Sequence, residues 1–322
     1  MPPANDYSPW NLTVAEIVGR LESLLGRPGV EDEYVRLRIA LVETQRITFE
    51  DLEDSPIVPL SATAMESKRR CRTPRTGEPG GVGSADVADH RPRPVLQPRD
   101  IGFDQAIALR LFSSILRECR RYGAAQADVE KLESAVRDRP KLLAGFVRYG
   151  PGWPDATYPG KLAGRLAVAE EMLLLVGHLV AAPFAAHAAR RLREEPIAEF
   201  ASGGSCPMCG AAPALASLTA AEGRRMLHCP LCGQVWPFDR LRCPFCGDES
   251  SSGPVRLAID GLAPSWIEAC DRCHHYLQVN DLRHPEVERP LVPLAEKTAG
   301  IAFDLVAERH GYLRKPPYAA LW

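Results

Sequence analysis

The chain has 322 residues, 45% of them apolar and 25% charged, values close to those of globular proteins, which excludes a fibrous or wholly disordered polymer. Lys and Arg number 39 against 41 Asp and Glu, a formal net charge of −2 that draws the whole chain to neither nucleic acid nor an anionic membrane. The length suits about two domains, and the counts that depart from average are 29 Pro, 25 Gly and 10 Cys.

The first residues carry no basic stretch followed by an apolar one, so no secretory signal is expected and the reducing cytoplasm is the expected compartment. Thr13 and Glu16 have the spacing of a capping box, and the apolar residues that follow predict a helix over 13–26. A second amphipathic pattern from Tyr34 predicts another helix to about Thr48, so residues 1–60 read as the first helices of a helical domain. Residues 61–100 change character. Lys68, Arg69, Arg70, Cys71 and Arg72 lead into a Pro- and Gly-rich stretch, read as a basic linker with solvated charge and an exposed thiol.

Helical periodicity resumes at Phe103, again at Ala125 and again at Pro140, and Gly150 to Pro154 reads as a turn. The strongest pattern, 159–195, is apolar almost all round and predicts a central helix that Pro183 kinks or divides. Its apolar run, Met172 to Ala186, is shorter than the roughly 20 residues of a membrane span and carries His178 and Pro183, so no membrane span is expected. Residues 101–200 thus form the main helical domain. After Gly203 and Gly204 the helical period ends, and short β-like stretches, Val255 to Ile259 and Tyr276 to Val279, lie between cysteine pairs over 201–285. In 286–322 a last helix is predicted from Leu294 to His310, with Gly311 as its C-cap and an extended tail beyond.

Eight cysteines fall into four pairs: Cys206 with Cys209, Cys229 with Cys232, Cys243 with Cys246, and Cys270 with Cys273. Chance placement would give about 0.3 such pairs. Three pairs have the form C-P-x-C-G, the knuckle of zinc ribbons and rubredoxins, where Gly accepts the unusual backbone angle after the second ligand. The gaps between pairs are 19, 10 and 23 residues. The gap of 10 is short for a hairpin returning to the same metal. The spacing therefore predicts Cys206, Cys209, Cys229 and Cys232 as one site and Cys243, Cys246, Cys270 and Cys273 as a second, with interleaved pairing as the alternative. Sulfur-only sites suit two metal ions, iron or zinc, and spacing does not choose between them. A region with so few large apolar residues would need that metal for its stability. Only the isolated Cys71 and Cys119 are then expected to react as free thiols.

The expected fold class is α+β: an N-terminal all-helical domain, two tandem rubredoxin-like or zinc-ribbon Cys₄ modules, and a C-terminal helix. His228, His274 and His275 beside the knuckles read as neighbours of the thiolates rather than ligands, and His178 and His187 as packing residues. Trp236, Phe238, Phe245, Trp266 and Tyr276 read as ribbon core. No G-x-S-x-G, Walker or dinucleotide motif is present, so no catalytic or cofactor-binding residue is assigned. A thiol redox or sulfur-transfer enzyme is the first alternative, although one C-x-x-C beside a βαβ pattern would suffice for it. A nucleic-acid-binding ribbon is the second, but residues 201–290 hold eight Arg and no Lys against ten Asp plus Glu, before metal thiolates add further negative charge.

Taken together, the four knuckles, Arg225 to Cys232 with Trp236 beyond, Arg242 before the third pair, and Glu268 to Cys273 leading to Tyr276 and Leu277 resemble the formate dehydrogenase accessory protein FdhE family. The resemblance extends from Cys206 to the C-terminal helix and tail, and in layout to the helical part, including Gln97 to Asp100 before a helix. It implies a cytoplasmic, non-enzymatic assembly factor that binds the catalytic subunit of a respiratory formate dehydrogenase, with rubredoxin-like metal held by the eight knuckle cysteines. The Arg cluster and Cys71 of the linker are not features of the family, and the fourth knuckle ends in His274 rather than Gly. The oligomeric state is left open, a homodimer included.

Overall fold

The capping box forms as its spacing predicts: the Thr13 hydroxyl accepts the Glu16 N–H at 3.2 Å, and Glu16 accepts the Thr13 N–H at 2.7 Å. It starts α1 (Val14–Glu22), and α2 follows (Asp32–Asp54). The structure, a computed structural model, describes residues 9–54, 94–97, 101–123, 125–149, 157–192, 204–249, 253–262, 264–285 and 291–315. The Arg cluster with Cys71, the turn at 150–154, Gly203 and the tail beyond Lys315 lie outside the described residues. The last four residues of the stretch read as linker that are described, 94–97, lie along the first knuckle. There Val95 and Leu96 are buried, and their N–H groups donate to the carbonyls of Pro207 and Met208 at 3.2 and 2.7 Å.

Asp104 caps α3 (Gln105–Arg121) by accepting the Ile107 N–H at 2.8 Å, and α4 (Gln126–Asp138) and α5 (Leu142–Tyr149) follow. The single central helix expected over 159–195 is two helices, α6 (Tyr158–Leu166) and α7 (Glu170–Leu192). The division falls at Ala167, in the left-handed region at φ 53°, and not at Pro183, through which α7 runs unbroken. Contacts from α4 set that break: Asp128 accepts the Ala169 N–H at 3.0 Å, and Lys131 donates to the Ala167 carbonyl. Helices α2, α3, α5 and α6 surround α7, which holds its backbone helical despite the hydrogen bond that Pro183 removes. By length and composition α7 could cross a membrane, but 89% of its apolar window is buried against the rest of the chain.

The second half is one mixed sheet, in the order β3-β2-β1-β6-β5-β4, from β1 (Leu215–Leu218), β2 (Arg225–His228), β3 (Val235–Pro237), β4 (Val255–Ala258), β5 (Ser265–Ala269) and β6 (Tyr276–Asp281). Each ribbon has the same plan: a knuckle, two antiparallel strands, a second knuckle and a third strand. The ribbons are joined by the parallel pairing of β1 with β6, Leu215 opposite Gln278 and Leu218 opposite Asp281. The protein is therefore α+β, with helices first, both Cys₄ groups in the sheet, and C-terminal helices behind it.

The C-terminal helix expected from 294 to 310 is also divided, into α8 (Pro293–Ala299) and α9 (Ile301–Arg309) at Gly300. An added Cβ at Gly300 would lie 2.6 Å from the amide oxygen of Gln278, a buried side chain that donates to the Glu296 carbonyl at 3.0 Å. Both pieces pack back. Leu294 and Ala295 join Ile17, Leu21 and Val35 of the first two helices, while Phe303 and Ala307 cover Ile267 and Tyr276 of the second ribbon.

Candidate metal centres

The four knuckles share one local geometry. The N–H groups of Cys206, Cys229, Cys243 and Cys270 donate to the carbonyls of Ala211, Gln234, Asp248 and His275 at 2.8 to 3.0 Å, closing each turn. The residue after the second cysteine is left-handed in every case: Gly210, Gly233 and Gly247 at φ 85, 69 and 75°, and His274 at φ 55°. Only Gly takes this conformation without steric cost. His274 is held there with its ring stacked on Tyr312, the centroids 6.2 Å apart.

The turns bring the thiols together as two groups of four, Cys206 with Cys209, Cys229 and Cys232, and Cys243 with Cys246, Cys270 and Cys273, all within 4.8 Å of one another in each group. Across the first group Cys206 lies 3.7 Å from Cys232 and Cys209 3.5 Å from Cys229. Across the second, Cys243 lies 3.8 Å from Cys273 and Cys246 3.7 Å from Cys270. A tetrahedron with metal–sulfur bonds of about 2.3 Å has edges of about 3.8 Å, so the donor sets fit a tetrahedral ion. They fit it as sets of four: all four thiols of each group lie within 4.8 Å of one another, where a redox dithiol brings together two. Thiolates this crowded ionise together only when a cation shares their charge.

The two groups differ in surroundings. The first is wholly buried, and its cysteines belong to the same apolar core as Val176, Val180 and Trp236. Helix α7 touches it: His178 Nε2 donates to the Pro230 carbonyl at 3.1 Å, and burial lowers the His178 pKa to about 4, keeping the ring neutral. In the second group Cys246 and Cys273 are partly exposed. It opens into a cleft of about 340 Å³ lined by Leu241, Cys243, Asp248, Cys270, Asp271 and Arg272.

The histidines are not among the clustered ligand atoms. His228 is buried with Nε2 2.8 Å from the Ser217 hydroxyl, and His275 meets the Phe245 ring edge-on at 5.7 Å. His187 packs against Phe49. Trp236, Phe238, Trp266 and Tyr276 are buried as ribbon core, and Phe245 packs against it partly exposed. The expectation that Cys119 would react as a free thiol does not hold: it is 1% exposed on α3, and burial raises its pKa to about 11. Cys71 lies outside the described residues. Arg225 and Glu268 entered the sequence reading only as part of the resemblance, and Arg38 and Lys297 carried no sequence signal, because charges on strands and helices ordinarily face water.

Residues 205–240, which hold the first two knuckles, match the family described as FdhE, central domain. The resemblance is to FdhE. An FdhE homolog of Haemophilus ducreyi is 29% identical over 213 residues, 64% of this chain and 63% of that one. The FdhE homolog of Pseudomonas aeruginosa is 31% identical over 39% of this chain and 42% of its own, and FdhE of Escherichia coli O1:K1 31% over 34% and 35%. The matched stretches thus span less than two thirds of these FdhE relatives. The crystal structure of the FdhE protein from Pseudomonas aeruginosa has the same fold, with a TM-score of 0.63 at 22% identity over 99% of this chain and 97% of that one.

Proposed function

We propose that this chain is a non-enzymatic accessory protein for the maturation of a respiratory formate dehydrogenase, acting in the cytoplasm and binding the catalytic subunit. The observation that carries the reading is the pair of Cys₄ groups set in one continuous sheet behind a helical domain, in a chain whose knuckle region matches FdhE. In this reading Cys206, Cys209, Cys229 and Cys232 hold one metal ion, and Cys243, Cys246, Cys270 and Cys273 a second, iron or zinc. The ion would supply charge neutralisation and cross-linking, and the chain's own residues would shape the contact with the client. The first, buried centre joins ribbon to helices. The second, beside an open cleft with the exposed Leu241 at its rim, is the face presented to the client.

The test is co-purification of the full, metal-loaded chain with a tagged formate dehydrogenase catalytic subunit. A complex is expected. Absence of a complex, together with salt-dependent binding of RNA or DNA or with a fast-reacting low-pKa thiol in the loaded protein, would replace it with one of the other two readings. Metal analysis of protein purified without oxygen decides between iron and zinc.

A further inference from the structure

Strand β4 closes one end of the sheet, and among the described residues no strand pairs with its outer edge. Its ladder with β5 runs without a bulge from Val255 opposite Ala269 to Ala258 opposite Trp266, and no Pro interrupts it. A regular, open edge offers a row of backbone N–H and C=O groups to another strand. The other end of the sheet is guarded: β3 has three residues, two of them buried, and it closes with Pro237.

Exposure alternates along the β4 edge. Val255, Leu257 and Ile259 are half-buried and pack against the cluster of Ile267, Tyr276 and Phe303, whereas Arg256, Ala258 and Asp260 are exposed. Asp260 is the first residue of the turn that follows, which the Leu262 N–H closes by donating to the Ile259 carbonyl at 3.1 Å. Arg256 sits over Trp266 of β5, its guanidinium carbon 3.7 Å from the ring centroid. Glu268, the carboxylate opposite Arg256 on β5, is taken by Arg225. Among the described residues neither Arg256 nor Asp260 has an ion-pair partner.

A twofold axis through Ala258 sets each residue of the strand opposite the one equally far beyond that axis in a second, antiparallel copy. Arg256 then meets Asp260 of the second copy, and the reverse pair forms on the other side of the axis. Leu257 and Ile259 meet in the same way on the apolar side, and the small Ala258 lets the strands approach at the centre. Opposite charges spaced evenly about a small residue are self-complementary, which favours a second copy of this chain over an unrelated strand.

We propose that β4 is a self-association edge, through which two chains pair antiparallel about Ala258 and join their six-stranded sheets into one. The strand has four residues, so the contact is small and belongs to the weak, reversible class.

The test is sedimentation equilibrium of the full, metal-loaded chain over a concentration series reaching about 100 μM, where a weak interface becomes populated. The wild-type mass should rise toward that of two chains. Arg256→Glu and Asp260→Arg each bring like charges together twice per dimer, and each should raise the dissociation constant about tenfold or more. The double variant, Arg256→Glu with Asp260→Arg, exchanges the signs and should restore dimerisation, which mere loss of the Trp266 contact would not allow. A wild-type chain that stays monomeric, a dimer indifferent to either substitution, or a double variant as dissociated as the single ones overturns the inference. A monomeric chain whose Arg256→Glu variant loses a bound formate dehydrogenase subunit also overturns it, and gives the edge to that client.

Discussion

The Arg225 guanidinium, 1% exposed on β2, lies 2.9 Å from the carboxylate of Glu268 on β5, so a buried ion pair ties the first ribbon to the second. Arg225 also donates to the carbonyls of Asp239 and Arg242, reaching the loop before the third knuckle, and stacks on Phe238. One side chain thus spans the join between the two Cys₄ groups.

Glu268→Gln should therefore destabilise the chain by about 3 to 5 kcal/mol, since it leaves the guanidinium buried without its counter-charge. Urea denaturation of the metal-loaded protein measures it. Pairing that change with Arg225→Met should recover much of the loss, and a single variant as stable as wild type would show that the pair contributes nothing.

The difference in burial between the two centres predicts two phases of metal loss. A chelator with a thiol reagent should remove the ion from Cys243, Cys246, Cys270 and Cys273 first, through the cleft beside partly exposed Cys246 and Cys273. The helical circular dichroism should persist through that phase and fall only when metal leaves Cys206, Cys209, Cys229 and Cys232, which belong to the same apolar core as α7. Mass spectrometry of the modified cysteines checks the order.

Gly204 is in close contact with the third knuckle. An added Cβ there would lie 1.7 Å from the Pro244 carbonyl oxygen, a backbone atom that cannot swing aside. Gly204→Ala should cost about 1 to 3 kcal/mol and loosen metal at the second centre in preference to the first. Thermal unfolding and metal stoichiometry of the variant test both parts.

His178 makes stability depend on pH. Burial holds its folded-state pKa near 4, below the ordinary value of 6.5, so the unfolded chain binds the proton first as pH falls. Its contribution is constant above about 6.5, declines from there to about 4, and is flat below. His178→Gln, whose amide can still donate to the Pro230 carbonyl, should be less stable than wild type at pH 7.5 and gain on it by pH 5. Urea midpoints for the two proteins at both values give the comparison, and a gap that stays constant with pH would count against the buried neutral imidazole.

The knuckles were legible from sequence because each is a local object. Two residues between cysteines, a following Gly and a tight turn specify the same backbone wherever they occur, and the left-handed positions at Gly210, Gly233 and Gly247 lie where the motif puts them. The capping box of α1 is local in the same sense. The helix boundaries at Ala167 and Gly300 were not legible, since each is set by a side chain distant in sequence, Asp128 and Lys131 for one and Gln278 for the other.

Composition and motif alone determined a helical first half and a second half with four cysteine pairs, because periodicity and turn chemistry act over a few residues. Tertiary structure decided that the ribbons share one sheet through β1 and β6, that one thiol group is sealed under α7 while the other faces a cleft, and that Arg38, Lys297 and Arg225 are buried. Those outcomes depend on which surfaces meet, and a charged residue on an amphipathic helix or strand has no sequence mark of the neighbour that will exclude water from it.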